Sequence, residues 1–191
     1  MFTCITRKGN TNMSLEKLLE KFTTKLQTTR QTHIVHVTQD GKHACACNSY
    51  ALVRVHLDEK KVTAYEQWSR LVPNKKNAEY VFTLQTKELK EAIKLAKIVN
   101  KEEMFLVTRE NTLYIEAESK DGNAKMKYAL MDTPADDVIL KIDMKILKDT
   151  IDILTKLKIN MFNLYYYDRH KPFLIDTFSG VFDATILPKR V

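Results

Sequence analysis

The densest grouping of reactive side chains lies between positions 33 and 56, where His33, His36, His43, Cys45, Cys47 and His56 fall in one stretch. Imidazole and thiolate are ligands that zinc takes, and on an extended strand His43, Cys45 and Cys47 would share one face. The spacing lacks the C-x-x-C knuckle of structural zinc sites, which supply ligands in pairs from two turns. Half-buried strand residues are therefore the expected identity of this group, with no metal. Tyr165-Tyr166-Tyr167 is the second candidate, since aromatic rings can stack the bases of a single strand. On an alternating strand Tyr166 is expected in the core, with its two neighbours at the surface. Asp136-Asp137 and the pair Asp149 and Asp152 have no base at readable spacing and read as cap and surface residues. No phosphate-binding glycine loop, G-x-S-x-G or H-E-x-x-H is present. Neither enzymatic activity nor a cofactor is expected.

Lysines carry the remaining chemistry. Lys17, Lys21 and Lys25 recur every fourth position, and Lys87, Lys90, Lys94, Lys97 and Lys101 step by three and four. Lys145, Lys148 and Lys156 form a third set, diluted by Asp149 and Asp152. At helical spacing each set makes one basic face, which on a single helix is usually a solvated surface with Glu–Lys pairing. Held side by side, three such faces would form one positive surface suited to the phosphates of double-stranded DNA, positioning a duplex without reading its sequence.

Apolar periodicity supplies the helices. Leu15, Leu18, Leu19, Phe22 and Leu26 mark the first; Leu89, Ala92, Ile93, Ala96 and Val99 the second; Ile146 or Leu147, Ile151, Leu154 and Leu157 the third. Ser14, Thr86 and Asp143 stand at the expected N-caps. Period-two strands follow each helix: 33–37, 43–47 and 51–57; then Phe105/Val107, Leu113/Ile115/Ala117 and Met126/Tyr128/Leu130; then Phe162/Leu164/Tyr166, Phe173/Ile175 and Phe182/Ala184/Ile186. Asp40-Gly41, Asp121-Gly122 and Ser179-Gly180 carry turn chemistry between them. Short leading strands at Phe2 to Thr6, Tyr80 to Leu84 and Val138 to Ile142 complete three βαβββ units, a repeat of the length that marks modular architecture. The fold expected is α+β, with helices on one face of antiparallel sheets. One unit occupies 1–57 as a half domain, 58–78 is a connector holding Trp68, and two units make a complete domain over 79–191.

The composition agrees with a globular binding protein. Of 191 residues 44% are hydrophobic and 29% charged, and the formal charge of +7 favours an anionic partner. Three cysteines are too few for a secreted disulfide framework, no apolar run approaches the length that spans a bilayer, and Met1-Phe2-Thr3-Cys4 lacks a signal-peptide layout. A cytoplasmic protein with no membrane association is expected.

Several segments resemble the bacterial sliding DNA clamp, the DNA polymerase III beta subunit family. Lys171-Pro172-Phe173-Leu174-Ile175 and the run from Ala184 to Val191 are similar to that family's last strands and its terminal M-P-M-R-L. Tyr65-Glu66-Gln67-Trp68-Ser69-Arg70-Leu71-Val72-Pro73 resembles the family's F-P-D-Y-R-R-V-I-P connector, and Cys47-Asn48-Ser49-Tyr50-Ala51-Leu52 stands where it has T-D-G-H-R-L. Leu89 through Val99 resembles the first helix of the third clamp domain. Asn48-Ser49, Ala51, Glu66-Gln67 and Lys189 depart from the pattern. In length the match is to half a middle domain plus a last domain, which points to a shortened clamp such as a phage or mobile element encodes, acting in the bacterial cytoplasm.

The resemblance implies a non-catalytic processivity factor whose helices line a hole around duplex DNA and whose surface recruits polymerase or other replication proteins through short peptide motifs. It implies phosphate contacts at Lys17, Lys21, Lys25, Lys87, Lys90, Lys94, Lys97, Lys145 and Lys148. It also implies a peptide pocket at Leu52, Arg70, Leu71, Phe173, Thr185, Leu187 and Pro188, with strand core as the alternative for Phe173 and Leu187. Ile98 and Val99 match subunit-interface positions, against packing within their own unit. An odd unit leaves a sheet edge to pair, so a homo-oligomer is expected. The alternative function is a clamp-like interaction protein that binds or inhibits host replication proteins without encircling DNA.

Overall fold

Alternation gives every strand one apolar face to hide, and the helices supply its cover. The computed structural model describes residues 15–24, 35–37, 42–56 and 71–190. The elements run α1 (Leu15–Glu20), β1 (His36–Val37), β2 (His43–Cys47), β3 (Ala51–His56), a 3-10 turn at Lys75–Asn77, β4 (Tyr80–Gln85) and α2 (Thr86–Val99). They continue with β5 (Glu103–Arg109), β6 (Thr112–Glu118), β7 (Lys125–Asp132), β8 (Ile139–Asp143), α3 (Met144–Lys156), β9 (Met161–Tyr166), β10 (Phe173–Asp176) and β11 (Phe182–Ile186). The leading strand expected at Phe2 to Thr6, the Ser14 cap, Lys25, Leu26, His33, the Asp40-Gly41 turn and the connector from 58 to 70, with Trp68 and Arg70, lie outside the described residues.

Two antiparallel sheets form. One has seven strands in the order β1-β2-β3-β11-β10-β9-β4, the other four in the order β7-β6-β5-β8. The second and third sequence repeats exchange their leading strands: β4 pairs with β9, and β8 pairs with β5. The pairing of β11 with β3 joins the first strand trio to the last one in a single sheet.

The inward faces are those the alternation specifies. Ala51, Val53, Val55, Phe82, Leu84, Phe162, Leu164, Phe173, Ile175, Phe182, Ala184 and Ile186 pack with Leu18, Leu19, Phe22, Leu89, Ile93, Leu147, Ile151 and Leu154 in one core. Burying one Leu or Phe is worth about 1.5–3 kcal/mol, more than the ~0.7 kcal/mol spread of ordinary helix propensities. Packing therefore keeps β-branched Ile93, Ile151 and Ile153 helical.

Three expectations need correction. In β5 the core side is Met104 and Leu106, while Phe105 turns outward beneath Lys141 at 5.7 Å; its cross-strand neighbours Glu116 and Lys141 fix that face as the polar one. Thr86 is the first residue of α2 and not its cap; its hydroxyl donates to Ile159 O at 2.6 Å, and Gln85 occupies the cap position without a side-chain bond. The helix of the first unit closes at Glu20, and Phe22 reaches the core from a turn in which its N–H donates to Leu19 O at 2.9 Å. Asp143 does cap α3, accepting from the N–H groups of Lys145 and Ile146 at 2.9 and 3.0 Å. Gly122 and Gly180 take left-handed conformations, φ 74° and 68°, that L side chains rarely adopt.

Candidate nucleic-acid and peptide interfaces

α3 packs against both α1 and α2, so the helices stand in the row α1–α3–α2. On α2 the side chains of Leu89, Ala92, Ile93 and Ala96 face the core, leaving Lys87, Lys94 and Lys97 exposed and Lys90 half-buried. Lys101 is exposed just beyond the helix. Lys94 donates to Glu91 at 2.7 Å, and that hydrogen bond, reinforced by the charges of Lys94, Lys87 and Lys90, holds the Glu91 carboxyl below its ordinary range.

The other two helices handle their lysines differently. Lys17 is exposed on α1, but Lys21 reaches across to α3, 2.8 Å from Asp149 and 3.8 Å from Asp152. Lys148 also binds Asp152, at 2.7 Å. Asp149, expected at the surface, is only 6% exposed, buried in the seam between α1 and α3. Lys145 and Lys156 are exposed.

The opposite side of the seven-stranded sheet presents two registered rows. Val81, Tyr165, Leu174, Thr185, Leu52 and Cys47 lie side by side across it, and Thr83, Asn163, Asp176, Asp183, Arg54 and Cys45 make the next row. Arg54 holds Asp183 through two donors, Nε and Nη2, each at 2.9 Å. The end of the connector crosses these rows: Val72 packs on Cys45, Cys47 and Leu52, and the Lys75 ammonium binds Asp176 and lies 5.8 Å from the Tyr165 ring centroid.

Of the residues expected at a peptide pocket, Leu52 and Thr185 are therefore neighbours on this face, buried under or beside the connector. Leu71 (56% exposed) and Leu187 (41%) are open to solvent, and Pro188 is half-buried. Phe173 is a correction: it is fully buried on the helix side, and Leu174 is the β10 residue on the outer face. The assignment of Phe173 and Ile175 to the core already required this. Asn48, where the family has Asp, accepts from the N–H groups of Tyr50 and Ala51, both at 2.8 Å, and so keeps the turn.

The hydroxyls of Thr185 and Tyr167 are buried on this side without a hydrogen-bond partner among the described residues. Tyr167 was expected at the surface; burial, followed by the proximity of Tyr165 and Asp176, pushes its phenol up to about 12, so it stays neutral. Tyr166 is in the core as expected, stacked on Tyr80 at 6.2 Å. The chain end is tied down as well. Leu187 N–H donates to Tyr50 O (2.8 Å), Lys189 N–H to Lys141 O (2.7 Å), and the Lys189 and Lys141 ammonium groups meet Glu103 at 3.2 and 3.1 Å.

Ile98, 80% exposed, stands on α2 with Leu95 also exposed, while Val99 is half-buried and packs against the core. β7 and β8 are the two edge strands of the four-stranded sheet. His43 and His56 meet edge to face across β2 and β3, ring centroids 5.2 Å apart, and the Cys47 thiol donates to Asn48 O at 3.2 Å. Among the described residues no three metal-ligating side chains converge.

Solved structures decide the architecture. The Helicobacter pylori beta clamp in complex with 3,4-difluorobenzamide superposes with a TM-score of 0.73 at 14% identity, covering 93% of this chain and 63% of the clamp. The fold is that of the bacterial sliding clamp. The DNA polymerase sliding clamp of Pseudomonas aeruginosa gives 0.69 at 11% identity, covering 93% of this chain and 64% of that one. The Helicobacter pylori clamp bound to a DNA ligase peptide gives 0.71 at 14%, covering 92% and 62%. The chain thus spans less than two thirds of the length of these clamps. No family model and no curated protein sequence matches the chain. No described helix is long and apolar enough to cross a membrane.

Proposed function

We propose that this chain is a clamp-like tether: a non-catalytic cytoplasmic protein that holds a DNA polymerase or another replication protein on double-stranded DNA. The observation that carries this reading is the row α1–α3–α2, with lysines on its exposed side, in a protein with the sliding-clamp fold. Lys17, Lys25, Lys87, Lys90, Lys94, Lys97 and Lys145 are the candidate phosphate contacts; Lys21 and Lys148, paired with Asp149 and Asp152, are left out of that set. Such contacts are made to the backbone and are indifferent to sequence.

The outer face is the proposed seat of partner peptides. Leu71, Leu187 and Pro188 offer accessible apolar anchorage, with Leu52 and Thr185 buried on the same face; Arg70, named with them from the sequence, lies outside the described residues. A clamp that has been solved with a DNA ligase peptide supports this use of the fold. Exposed Ile98, with Val99 beside it, suits a contact between copies, since a homo-oligomer would cover it. The alternative, an interaction protein that never encircles DNA, would use the same outer face but gives the lysine row no role.

Duplex binding by the full chain tests the proposal. Affinity should be the same for unrelated sequences and should fall with salt at a log–log slope of about −0.9 per phosphate contacted. Salt-independent binding, or binding that selects a sequence, would contradict it.

A further inference from the structure

Resting on the duplex-binding reading above, we propose that α2 supplies phosphate contacts through Lys87, Lys90 and Lys97, whereas Lys21 and Lys148, which look equivalent in the sequence, act as internal counter-ions. The three helices look alike as lysine patterns, yet their charges are spent differently. Among the described residues, Lys21, Lys148, Asp149 and Asp152 form a group of two cations and two anions, linked at 2.8, 3.8 and 2.7 Å. Asp149 is buried, and among the described residues Lys21 is the cation paired with it. A phosphate that drew Lys21 away would strand that carboxylate in the α1–α3 seam, and removing one partner of a buried pair is strongly unfavourable. A phosphate that captured Lys148 would sit beside the freed charge of Asp152.

α2 has no such constraint. Four lysines stand on it against Glu88 and Glu91, and among the described residues only Lys94 is in a salt bridge, with Glu91. Lys87, Lys90 and Lys97 form no ion pair with a described residue. Spaced by three and seven positions, they form one stripe about 15 Å long at a rise of ~1.5 Å per residue. A neutral seam adds little field beyond the screening length of about 8–10 Å, whereas a stripe of ammonium groups outside any direct ion pair releases counter-ions when it meets a polyanion.

The test compares salt slopes of duplex binding for the full chain and two variants, with folding checked by melting and circular dichroism. The triple change Lys87→Gln, Lys90→Gln and Lys97→Gln should make the slope shallower by about 2.7 per bound copy, at ~0.9 per lost contact. The double change Lys148→Gln with Asp152→Asn, which removes one charge of each sign at a half-buried pair, should leave the slope unchanged. A slope lowered by the double change, or unmoved by the triple one, overturns the inference. If the unaltered chain itself shows no salt-dependent binding, the duplex-binding reading falls and takes this inference with it. Unaltered binding that the triple change does not weaken overturns the inference alone.

Discussion

Glu103 is where the chain end meets the sheet, and its ionisation can be measured. Burial pushes its carboxyl up, but the hydrogen bonds from Lys141 and Lys189 outweigh that and hold it below its ordinary value. A carboxyl whose folded value lies below its unfolded one contributes stability that is complete above the ordinary glutamate value, about 4.3, and disappears as pH falls through the folded value. Glu103→Gln should therefore lower the melting temperature at pH 7 by on the order of 2 °C, a screened, partly exposed pair being worth roughly 0.5–1 kcal/mol in a chain of this size. The difference should vanish in melts near pH 2, and a gap constant across the pH range would refute the assignment. At this scale much was legible in the sequence, though not all. Leu52 and Thr185 share the outer face because β3 pairs with β11, a partnering that parity alone does not report. Phe173 could not serve both core and pocket, and strand parity alone hands the outer place to Leu174. The burial of Asp149 was hidden, because the lysine that meets it comes from a distant part of the chain.

Among the elements, helix starts show how far local chemistry reaches. Asp143 satisfies two otherwise free amides of α3, and Asp143→Ala should cost about 1 kcal/mol, seen as a melting-temperature loss of roughly 2–4 °C. Thermal melts of the full chain check this; an unchanged midpoint would mean that the cap is not stabilising α3. Thr86 resembles a cap in sequence but is drawn into α2 by its bond to Ile159 O, a contact with the approach to β9 that no local pattern reports. The same limit explains the strand exchange. Period two fixes which face of β4 and β8 is buried, but partner choice depends on long-range pairing, and β4 joins β9 while β8 joins β5. The strand trios themselves were legible because Phe162/Leu164/Tyr166 and Phe182/Ala184/Ile186 alternate without interruption.

At the scale of the whole molecule, repetition was the informative signal. Lysine-faced helices recurring beside alternating strands, with segments similar to clamp sequences, pointed to an architecture that solved clamps share at 11–14% identity. Repetition also concealed something: the α1–α3 seam neutralises charges that a helix-by-helix reading counts as available. Tethering makes a demand that ordinary basic binding does not, namely that the DNA have no end to slide from. The direct measurement is the dissociation rate of the full chain from a closed circular duplex and from the same circle cut once, at matched salt. The account predicts slow release from the closed circle and rapid loss after the cut. Equal rates from both would contradict it.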